Sequence, residues 1–369
     1  MNFDIKKDNR NIEKSLKAAP SLLSKKIRGF KNNKFALTAA VIIIFLYLLV
    51  IFAPIIAPYN PNRAYKDKFF HPPTRIHFRD ENGLSKPYIY NTKSNNWAQY
   101  ENFDEKKYYL DFFEKGDQYK LFGLFEMDIH LFQVEEDIPI FLLGSDDYGR
   151  DIFTRILYGG RVSLFIGFVA IIITTLIGLI VGGISGYYGG VIDNIIMRAA
   201  EVIMSIPGFY LLLALAAVLP LDISSAFRFF LIVSILAFQG WAGMARVIRG
   251  MVLSVKSEEY VLAAKSIGAN DKRIITKHIL PSTATYVIIR ATVAIPGYII
   301  MESGLSFIGL GIQEPSASWG NMLSSAQNIS KINNFPWLLL PGLFIFITVL
   351  SYNILGDGLR DAFDPKFTN

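Results

Sequence analysis

The sequence predicts an all-α membrane protein with six transmembrane helices and a small mixed extracytoplasmic insert between the first two. Hydrophobic residues make up 52% of the 369 residues and charged residues only 18%, whereas soluble domains carry about a quarter charged residues. Six apolar runs also approach or exceed the roughly 20 residues that cross the hydrocarbon of a bilayer. These observations exclude a soluble, fibrous or disordered protein.

The predicted spans are each built around a run without Lys, Arg, Asp or Glu, and only in the fifth is that run broken, by Arg290. The first run is longer than the apolar part of a signal peptide, and Pro54 and Pro58 follow the small residues where cleavage would occur, so we expect a retained helix. The six spans, in chain order, are 35–57, 163–187, 199–220, 228–248, 282–303 and 335–355.

Charge predicts the orientation of these spans. Residues 1–34 form a basic tail with 10 basic and 3 acidic residues, and an excess of Lys and Arg marks the cytoplasmic side. Six crossings return residues 357–369 to the cytoplasm as a C-terminal tail. The same parity places the basic loop 250–281 inside and the slightly acidic stretch 58–143 outside. Residues 144–356 form a core with the other five spans.

The outside stretch is rich in aromatic residues, with 19 among residues 59–143. Disordered segments are poor in aromatics, so we expect a small core, with short strands around residues 86–90 and a turn at Asn82-Gly83. We expect this insert to help dock a partner or to shape an entrance. His71 and His77 do not have the spacing of a metal site, and cysteine is absent, so no metal site is predicted.

Four glycines follow one another at intervals of four residues in and beyond the second span: Gly178, Gly182, Gly186 and Gly190. Small residues at this spacing let another helix approach closely in a membrane, so we expect a helix-packing face. The glycine-rich stretch is not an ATP-binding P-loop, because no Gly-Lys pair occurs in the chain.

Ser185 lies in the sequence Gly-x-Ser-Gly, which resembles the nucleophile site of rhomboid-type intramembrane proteases. A serine nucleophile needs a base within hydrogen-bonding distance, and His278 is the only histidine predicted on the same side of the membrane. The alternative interpretation is that Ser185 is a small residue at a helix contact. We predict no catalytic residue, and the protease remains a remote alternative.

The cytoplasmic loop carries signals for two short helices. Ser257 is expected to cap a helix with Glu258 and Glu259 in its first turn. Gly268 has the position of a C-terminal glycine cap. A second helix is expected to start at Asn270 or Asp271 and to lead through Pro281 into the fifth span. The loop therefore forms a compact projection.

Residues 259–269 read EYVLAAKSIGA and are followed by HILP at 278–281. This pattern resembles the EAA loop of ABC importer permeases, which in that family docks into a cytoplasmic ATPase subunit. The sequence departs from the family at Leu262, where a glutamate is usual. The resemblance implies a coupling loop that includes Glu259, Tyr260, Ala263, Ala264, Gly268 and Ala269.

A second pattern, LGSDDYGRD at 143–151 and continuing through Arg155, resembles the entry to the first core helix of dipeptide, oligopeptide and nickel permeases. Further matches are APYNP at 57–61, GYYGG at 186–190, ESGLSFIGLG at 302–311, SWG at 318–320 and NILGDGLRD at 353–361. The resemblance implies an outer-gate motif with Gly149, Arg150, Asp151 and Arg155. We expect Arg150, Asp151 and Arg155 to form an exposed ion network there.

The resemblance implies a type I ABC importer permease core and a role as half of a transmembrane path for peptides. It implies as partners a second homologous permease, two cytoplasmic ATPase subunits and an extracytoplasmic binding protein, in the inner membrane of a bacterium. Neither a cofactor nor a nucleic acid is expected. A nickel or small-solute importer of the same family is the nearest alternative; an autonomous channel or ion-driven carrier would need no ATPase.

Two charged residues within the predicted spans are candidates for contact with substrate. Arg290 lies near the inner boundary of the fifth span, where an isolated charge is costly, so it should face a partner or an aqueous cavity. Glu302 lies near the outer end of the same span, where structural pairing is the alternative interpretation. We therefore treat Arg290 and Glu302 as possible path residues.

Overall fold

The computed structural model describes residues 29–81, 83–96, 98–134, 138–220 and 223–363. Most of the predicted basic tail and the last six residues lie outside these ranges, as do Asn82 and Trp97. The described residues form a helical bundle with one four-stranded antiparallel sheet between its first and second long helices.

The helices are numbered here in chain order, and short π-helical (274–279) or 3-10 (325–327 and 336–339) turns precede or follow some of them. They are α1 (Lys34–Ile51), α2 (Ala53–Ile56), α3 (Ile152–Tyr188), α4 (Gly190–Ser205), α5 (Gly208–Ala217), α6 (Ser225–Val255), α7 (Glu259–Ser266), α8 (Asp271–Arg273), α9 (Leu280–Phe307), α10 (Trp319–Ser324), α11 (Ile329–Asn334) and α12 (Leu340–Phe363).

Five helical segments are long and apolar enough to cross a membrane, and a bent pair makes a sixth candidate. The bent pair is α4 with α5, at an angle of 80°, where the sequence predicted one span at 199–220. Pro207 explains the break. It lacks an N–H and disfavours helical dihedrals in the residue before it, and Ile206 is accordingly extended.

Two of the helices, α3 and α12, are longer than the spans that the sequence predicted. The helix α3 has 37 residues, or about 55 Å at 1.5 Å per residue, and begins 11 residues before the predicted start at 163. Its first turns contain Arg155 and Arg161. The predicted span was defined by a run without charged residues, so it excluded these turns. Likewise, α12 continues to Phe363, so the first residues of the predicted C-terminal tail are helical.

The insert forms the strands β1 (His77–Asp80), β2 (Gly83–Asn96), β3 (Gln99–Leu121) and β4 (Phe125–Val134) in that spatial order. The 23-residue β3 pairs with β2 through its first half and with β4 through its second. The sequence predicted short strands, whereas the strands in the structure are longer. A small core that includes Tyr59, Ile89, Tyr108 and Phe132 attaches the sheet to the chain beside α2.

The bundle has two distinct ends. The helix α3 packs against α6 and α9, while α12 packs against α1 and α9, and one apolar cluster runs through them. We call the end beside the sheet the insert end. The opposite end, where α6 leads into α7, is the elbow end, and residues 256–279 are the elbow.

Candidate functional site

The elbow is a short helix followed by a sharp turn. The N–H of Gly268 donates to the carbonyl of Lys265, and that of Ala269 donates to Ala264, which is the Schellman arrangement of a helix C-terminus. Gly268 has φ of +82°, the left-handed conformation this turn requires. Asn270 then caps the next helix by accepting from the N–H of Arg273.

The predicted cap at the start of the elbow helix is wrong. Glu258 occupies the N-cap position, and no side chain caps that terminus. The Ser257 hydroxyl instead donates to the carbonyl of Ser254. The preceding helix α6 continues to Val255, so Ser257 lies in the tight connection between two helices and its hydroxyl is used at the end of the first.

One face of α7 is buried and the other is open. Val261 and Ala264 are buried, and Val261 belongs to the main apolar cluster with Ile274 and Ile279. The exposed residues of α7 and of the turn after it are Glu259, Tyr260, Leu262, Ala263, Lys265, Ser266, Ile267 and Gly268, and Ile267 is 86% exposed. Of the predicted coupling residues, Ala264 therefore supports the elbow from within, and Ala269 is half-buried.

Polar contacts join the elbow to α3. The hydroxyl of Tyr187 donates to Asp271 at 2.6 Å, and the ammonium of Lys256 donates to the carbonyl of Gly186 at 3.2 Å. Nearby, Asp193 accepts from both Arg249 and Ser185. The bonds of Lys256 and Asp271 connect the start and the middle of the elbow to the end of α3.

The contacts of Ser185 do not support a protease. Its hydroxyl is buried and donates to Asp193, whose carboxylate also accepts from Arg249 Nε at 2.8 Å. No histidine contacts this hydroxyl among the described residues. Ser185 is a buried hydrogen-bond donor that links α3 to Asp193 at the start of α4.

Three of the four spaced glycines lie against α6. A Cβ added to Gly178 would lie 2.5 Å from Met244, one on Gly182 would lie 2.5 Å from the Ala245 carbonyl, and one on Gly186 would lie 2.7 Å from Val252. Gly190 departs from the prediction, because α3 ends at Tyr188 and Gly190 begins α4 with φ of +56° and open space around it.

A buried ion network lies at the insert end. Arg150 Nε is 2.7 Å from Asp146, and its Nη1 is 2.5 Å from Glu314. Arg155 is only 1% exposed and contacts the same two acids, at 3.6 and 3.0 Å. The prediction of an exposed network was wrong, because these side chains lie between α3 and the loop before α10.

Asp151 is not an ion-pair member but the N-cap of α3. Its Oδ2 accepts from the N–H and the hydroxyl of Thr154. Burial raises the pKa of its carboxyl to about 7, against the effect of the Thr154 bonds. Burial also raises the pKa of Asp146, although Arg150 and Arg155 oppose it.

The tight turn before α3 depends on Gly149. It has φ of +74°, and an added Cβ would lie 2.2 Å from the Tyr65 carbonyl. The N–H of Tyr65 donates to the Gly149 carbonyl. This close approach, which requires glycine, fixes the loop after α2 against the start of α3.

The two possible path residues have different surroundings. Glu302 is fully buried and accepts from the hydroxyls of Ser163 and Ser306, at 3.0 and 2.7 Å. It therefore links α9 to α3 rather than lining an open path within this chain. Arg290 is exposed on α9, and no ion pair or hydrogen bond of its side chain occurs among the described residues, so it remains available to a partner or to water.

Sequence reasoning missed the acids that organise these sites. Asp193 was within a predicted loop, and Glu314 lies 164 positions from Arg150. A local signal existed for Asp146 alone, four residues before Arg150. Of the histidines of the insert, His71 contacts Thr92 and Pro72, and burial lowers its pKa to about 4. Among the described residues, no group of three or more His, Asp or Glu residues is arranged to hold a metal ion.

Two known protein families match parts of this sequence. Residues 175–369 match the family described as the binding-protein-dependent transport system inner membrane component. Residues 21–73 match the N-terminal transmembrane domain of oligopeptide transport permease C. The chain belongs to this family of membrane components, and is a transport permease subunit of the ABC type, in which separate subunits hydrolyse ATP.

Individual relatives agree with that class. The chain is 32% identical to the oligopeptide transport system permease protein of Bacillus subtilis (strain 168), over 96% of this chain and 93% of the relative. It is 45% identical to the dipeptide transport system permease protein of the same strain, over 60% and 68%. An oligopeptide permease protein of Haemophilus influenzae is 42% identical over 60% and 70%.

A crystal structure of an amino acid ABC transporter with histidines shares 19% identity with this chain. The similarity covers 56% of this chain and 92% of that chain, with a TM-score of 0.42. At this level it carries no argument about the fold or the function.

Proposed function

We propose that this chain forms one half of the transmembrane path of an ATP-driven peptide importer. The names of its relatives, dipeptide and oligopeptide permeases, support the cargo class. A second, homologous permease supplies the other half, and an extracytoplasmic binding protein delivers the peptide. The basic first residues support cytoplasmic termini, with the elbow inside and the insert outside.

The elbow is the surface that we assign to the two ATPase subunits, one of which docks on this chain. The open face of α7 carries the apolar side chains of Tyr260, Leu262 and Ile267, with Ala263 between them. An apolar surface on a short helix that is held from behind by Val261 and Ala264 fits a groove in a partner. This exposed face is the observation that carries the proposal.

The helices connected to the elbow suit the transmission of force. From Asp271 to Phe307 the chain is one continuous helical segment of 37 residues. Movement of the elbow by a closing ATPase is therefore passed along this segment as a rigid element. The close glycine contacts of α3 with α6 make these helices move as a unit, so the bundle rocks between two states that open the path to alternate sides.

Substitution of the most exposed elbow residue tests the ATPase site. In the complete transporter, purified in mild detergent, Ile267→Asp places a charge in the proposed interface without touching the buried side of α7. We expect co-purifying ATPase to fall by about tenfold or more, as for an interface hot spot. Ile329→Asp is the matched control, because this isoleucine is 74% exposed on α11 at the opposite end.

The outcomes separate the parts of the proposal. Retention of the ATPase by Ile267→Asp would show that docking occurs elsewhere. Failure of the unaltered chain to co-purify with an ATPase and a second permease would contradict the transporter assembly itself. Uptake by the reconstituted complex then tests the cargo: transport of labelled di- and tripeptides supports the proposal, whereas transport of Ni²⁺ without peptide overturns the cargo assignment.

A further inference from the structure

The hairpin between β3 and β4 ends in an apolar tip. The sequence from Leu121 to Phe125 reads LFGLF, and Phe122, Gly123 and Leu124 form the turn. Phe122 is 59% exposed and Leu124 is 78% exposed. The folded chain therefore leaves the large side chains of this turn without a covering, in a position where polar turn residues are usual.

The backbone conformation of the tip is unusual for a large side chain. Phe122 has φ of +54° and Gly123 φ of +72°. Left-handed dihedrals are routine for Gly and tolerated by Asn or Asp, but a bulky residue adopts them at an energetic cost. The hairpin therefore holds the Phe122 side chain at its tip at an energetic cost.

The tip lies at the level where the first membrane helix ends. The rings of Phe122 and Phe52 are in edge contact, with their centroids 6.3 Å apart, and Phe52 directly follows α1. The 18 residues of α1 span about 27 Å at 1.5 Å per residue, close to the roughly 30 Å of bilayer hydrocarbon. The tip is therefore at the boundary between hydrocarbon and head groups.

Beside the tip is an open groove of about 620 Å³ whose walls come from three long helices. Ile51 belongs to α1, Phe165 to α3 and Phe229 to α6, and Phe122 closes the groove on the sheet side. The groove is thus continuous with the membrane-facing surface of the bundle rather than with the interior of the insert.

Two cations lie at the rim of this groove: Lys120, an exposed side chain that pairs with Glu126 across the hairpin at 3.2 Å, and Arg161. Arg161 is held in place, because its Nε donates to the Val50 carbonyl at 2.6 Å and its Nη2 to the Ile51 carbonyl at 2.8 Å. Its guanidinium also lies over the ring of Tyr158, 5.1 Å from the centroid. Cationic and aromatic side chains at this depth are typical of the head-group layer of a membrane.

We propose that the β3–β4 tip is an interfacial membrane anchor whose occupant is phospholipid. Phe122 and Leu124 enter the outer part of the acyl chains, while Lys120 and Arg161 face lipid phosphates. The anchor holds the sheet against the bilayer beside the bundle. This inference depends on the membrane position of α1 and not on the peptide cargo or on the ATPase site.

The absence of cysteine from the sequence allows a direct test by single labels. Leu124→Cys and Leu84→Cys each receive a nitroxide in the full-length chain within its assembled complex, in vesicles of phosphatidylethanolamine and phosphatidylglycerol. Leu84 is the matched control, a leucine 86% exposed near the β1–β2 turn beside the acidic residues Asp80 and Glu81. Phe125→Cys supplies a second probe of the tip if Leu124→Cys does not assemble.

Collision with oxygen, which concentrates in lipid, and with a water-soluble nickel chelate measures the surroundings of each label. We expect contact with the chelate to be several-fold lower at position 124 than at 84, and contact with oxygen to be higher. Equal access of the chelate to both positions would overturn the anchor. Shielding of position 124 from both reagents would also overturn it, because a protein partner would then cover the tip.

Discussion

The two ends of the bundle are built differently. At the insert end, Arg150 and Arg155 pair with Asp146 and Glu314, most of this network is buried, and Trp319 closes the core by donating its indole N–H to the Ile156 carbonyl. At the elbow end, the eight-residue α7 packs on the bundle through Val261 and Ala264 and leaves the apolar side chains of Tyr260 and Leu262 exposed. The ion network of the first end finds its partners within the chain, whereas the second end exposes the surface that we assign to a partner.

The polar contacts also differ between the two ends: they are buried at the insert end and more exposed at the elbow end. Near the insert end, Ser318 and Asn321 form a capping box at the start of α10, and Glu302 collects serine hydroxyls from α3 and α9. Such networks fix one arrangement when every member is satisfied. The polar contacts that join the elbow to α3 are few and partly exposed.

The largest effect is expected from breaking the insert-end network. Arg155→Ala leaves Asp146 and Glu314 with one buried partner instead of two. We expect a loss of about 3 kcal/mol in the free energy of unfolding, the low end for a broken buried pair because Arg150 remains. Thermal unfolding of the purified chain in detergent measures it.

A surface ion pair of the insert provides the control for that substitution. Lys115→Ala removes a partner of Asp128, at 3.9 Å, in which the lysine side chain is 81% exposed. Exposed pairs contribute about 1 kcal/mol or less, so the melting temperature should hardly change. Equal losses for Arg155→Ala and Lys115→Ala would contradict the conclusion that burial makes the insert-end network stronger than an exposed ion pair.

The second largest loss of stability is expected at the contact between α3 and α6. Gly182→Ala places a methyl group 2.5 Å from the Ala245 carbonyl of α6, and backbone cannot move aside as a side chain would. We expect a loss of about 2 kcal/mol from overpacking. Gly243→Ala is the matched control on α6, since nothing lies within 4 Å of its added Cβ.

This pair of variants tests whether α3 and α6 move as one unit. If thermal unfolding is the same for Gly182→Ala and Gly243→Ala, the close contact does not limit the packing of these helices. The transmission of movement from the elbow to the insert end would then need another route.

The smallest effect is expected at the elbow itself. Tyr187→Phe removes the hydroxyl that donates to Asp271, a bond worth about 1 kcal/mol. Amide hydrogen exchange in residues 257–273 should accelerate several-fold while the rest of the chain is unchanged. Tyr188→Phe is the control, because the neighbouring tyrosine is 52% exposed and has no hydrogen bond among the described residues. Unchanged exchange in Tyr187→Phe would mean that the Tyr187–Asp271 bond does not hold the elbow in place.

Local features could be predicted where neighbouring residues decide them. Gly268 was expected to end the elbow helix, and it does, because only the adjacent turn matters for that conformation. The third span was not predicted as two helices, although Pro207 was a local signal for the break. Ser257 was expected to cap the elbow helix, but the tight connection between helices uses its hydroxyl at the end of α6 instead.

The sequence by itself determined the membrane class, the positions of the apolar segments and the glycine face of α3, because hydropathy and residue spacing are properties of short stretches of chain. Only the tertiary structure decided which side of α7 is open, that Ala264 lies beneath it, and that Glu302 and Arg155 are enclosed. Those properties depend on partners far away in the sequence, such as Ser163 and Glu314. The residues next to a charged side chain in the sequence do not show whether it is exposed or buried. That depends on the fold, which brings its partner into contact with it.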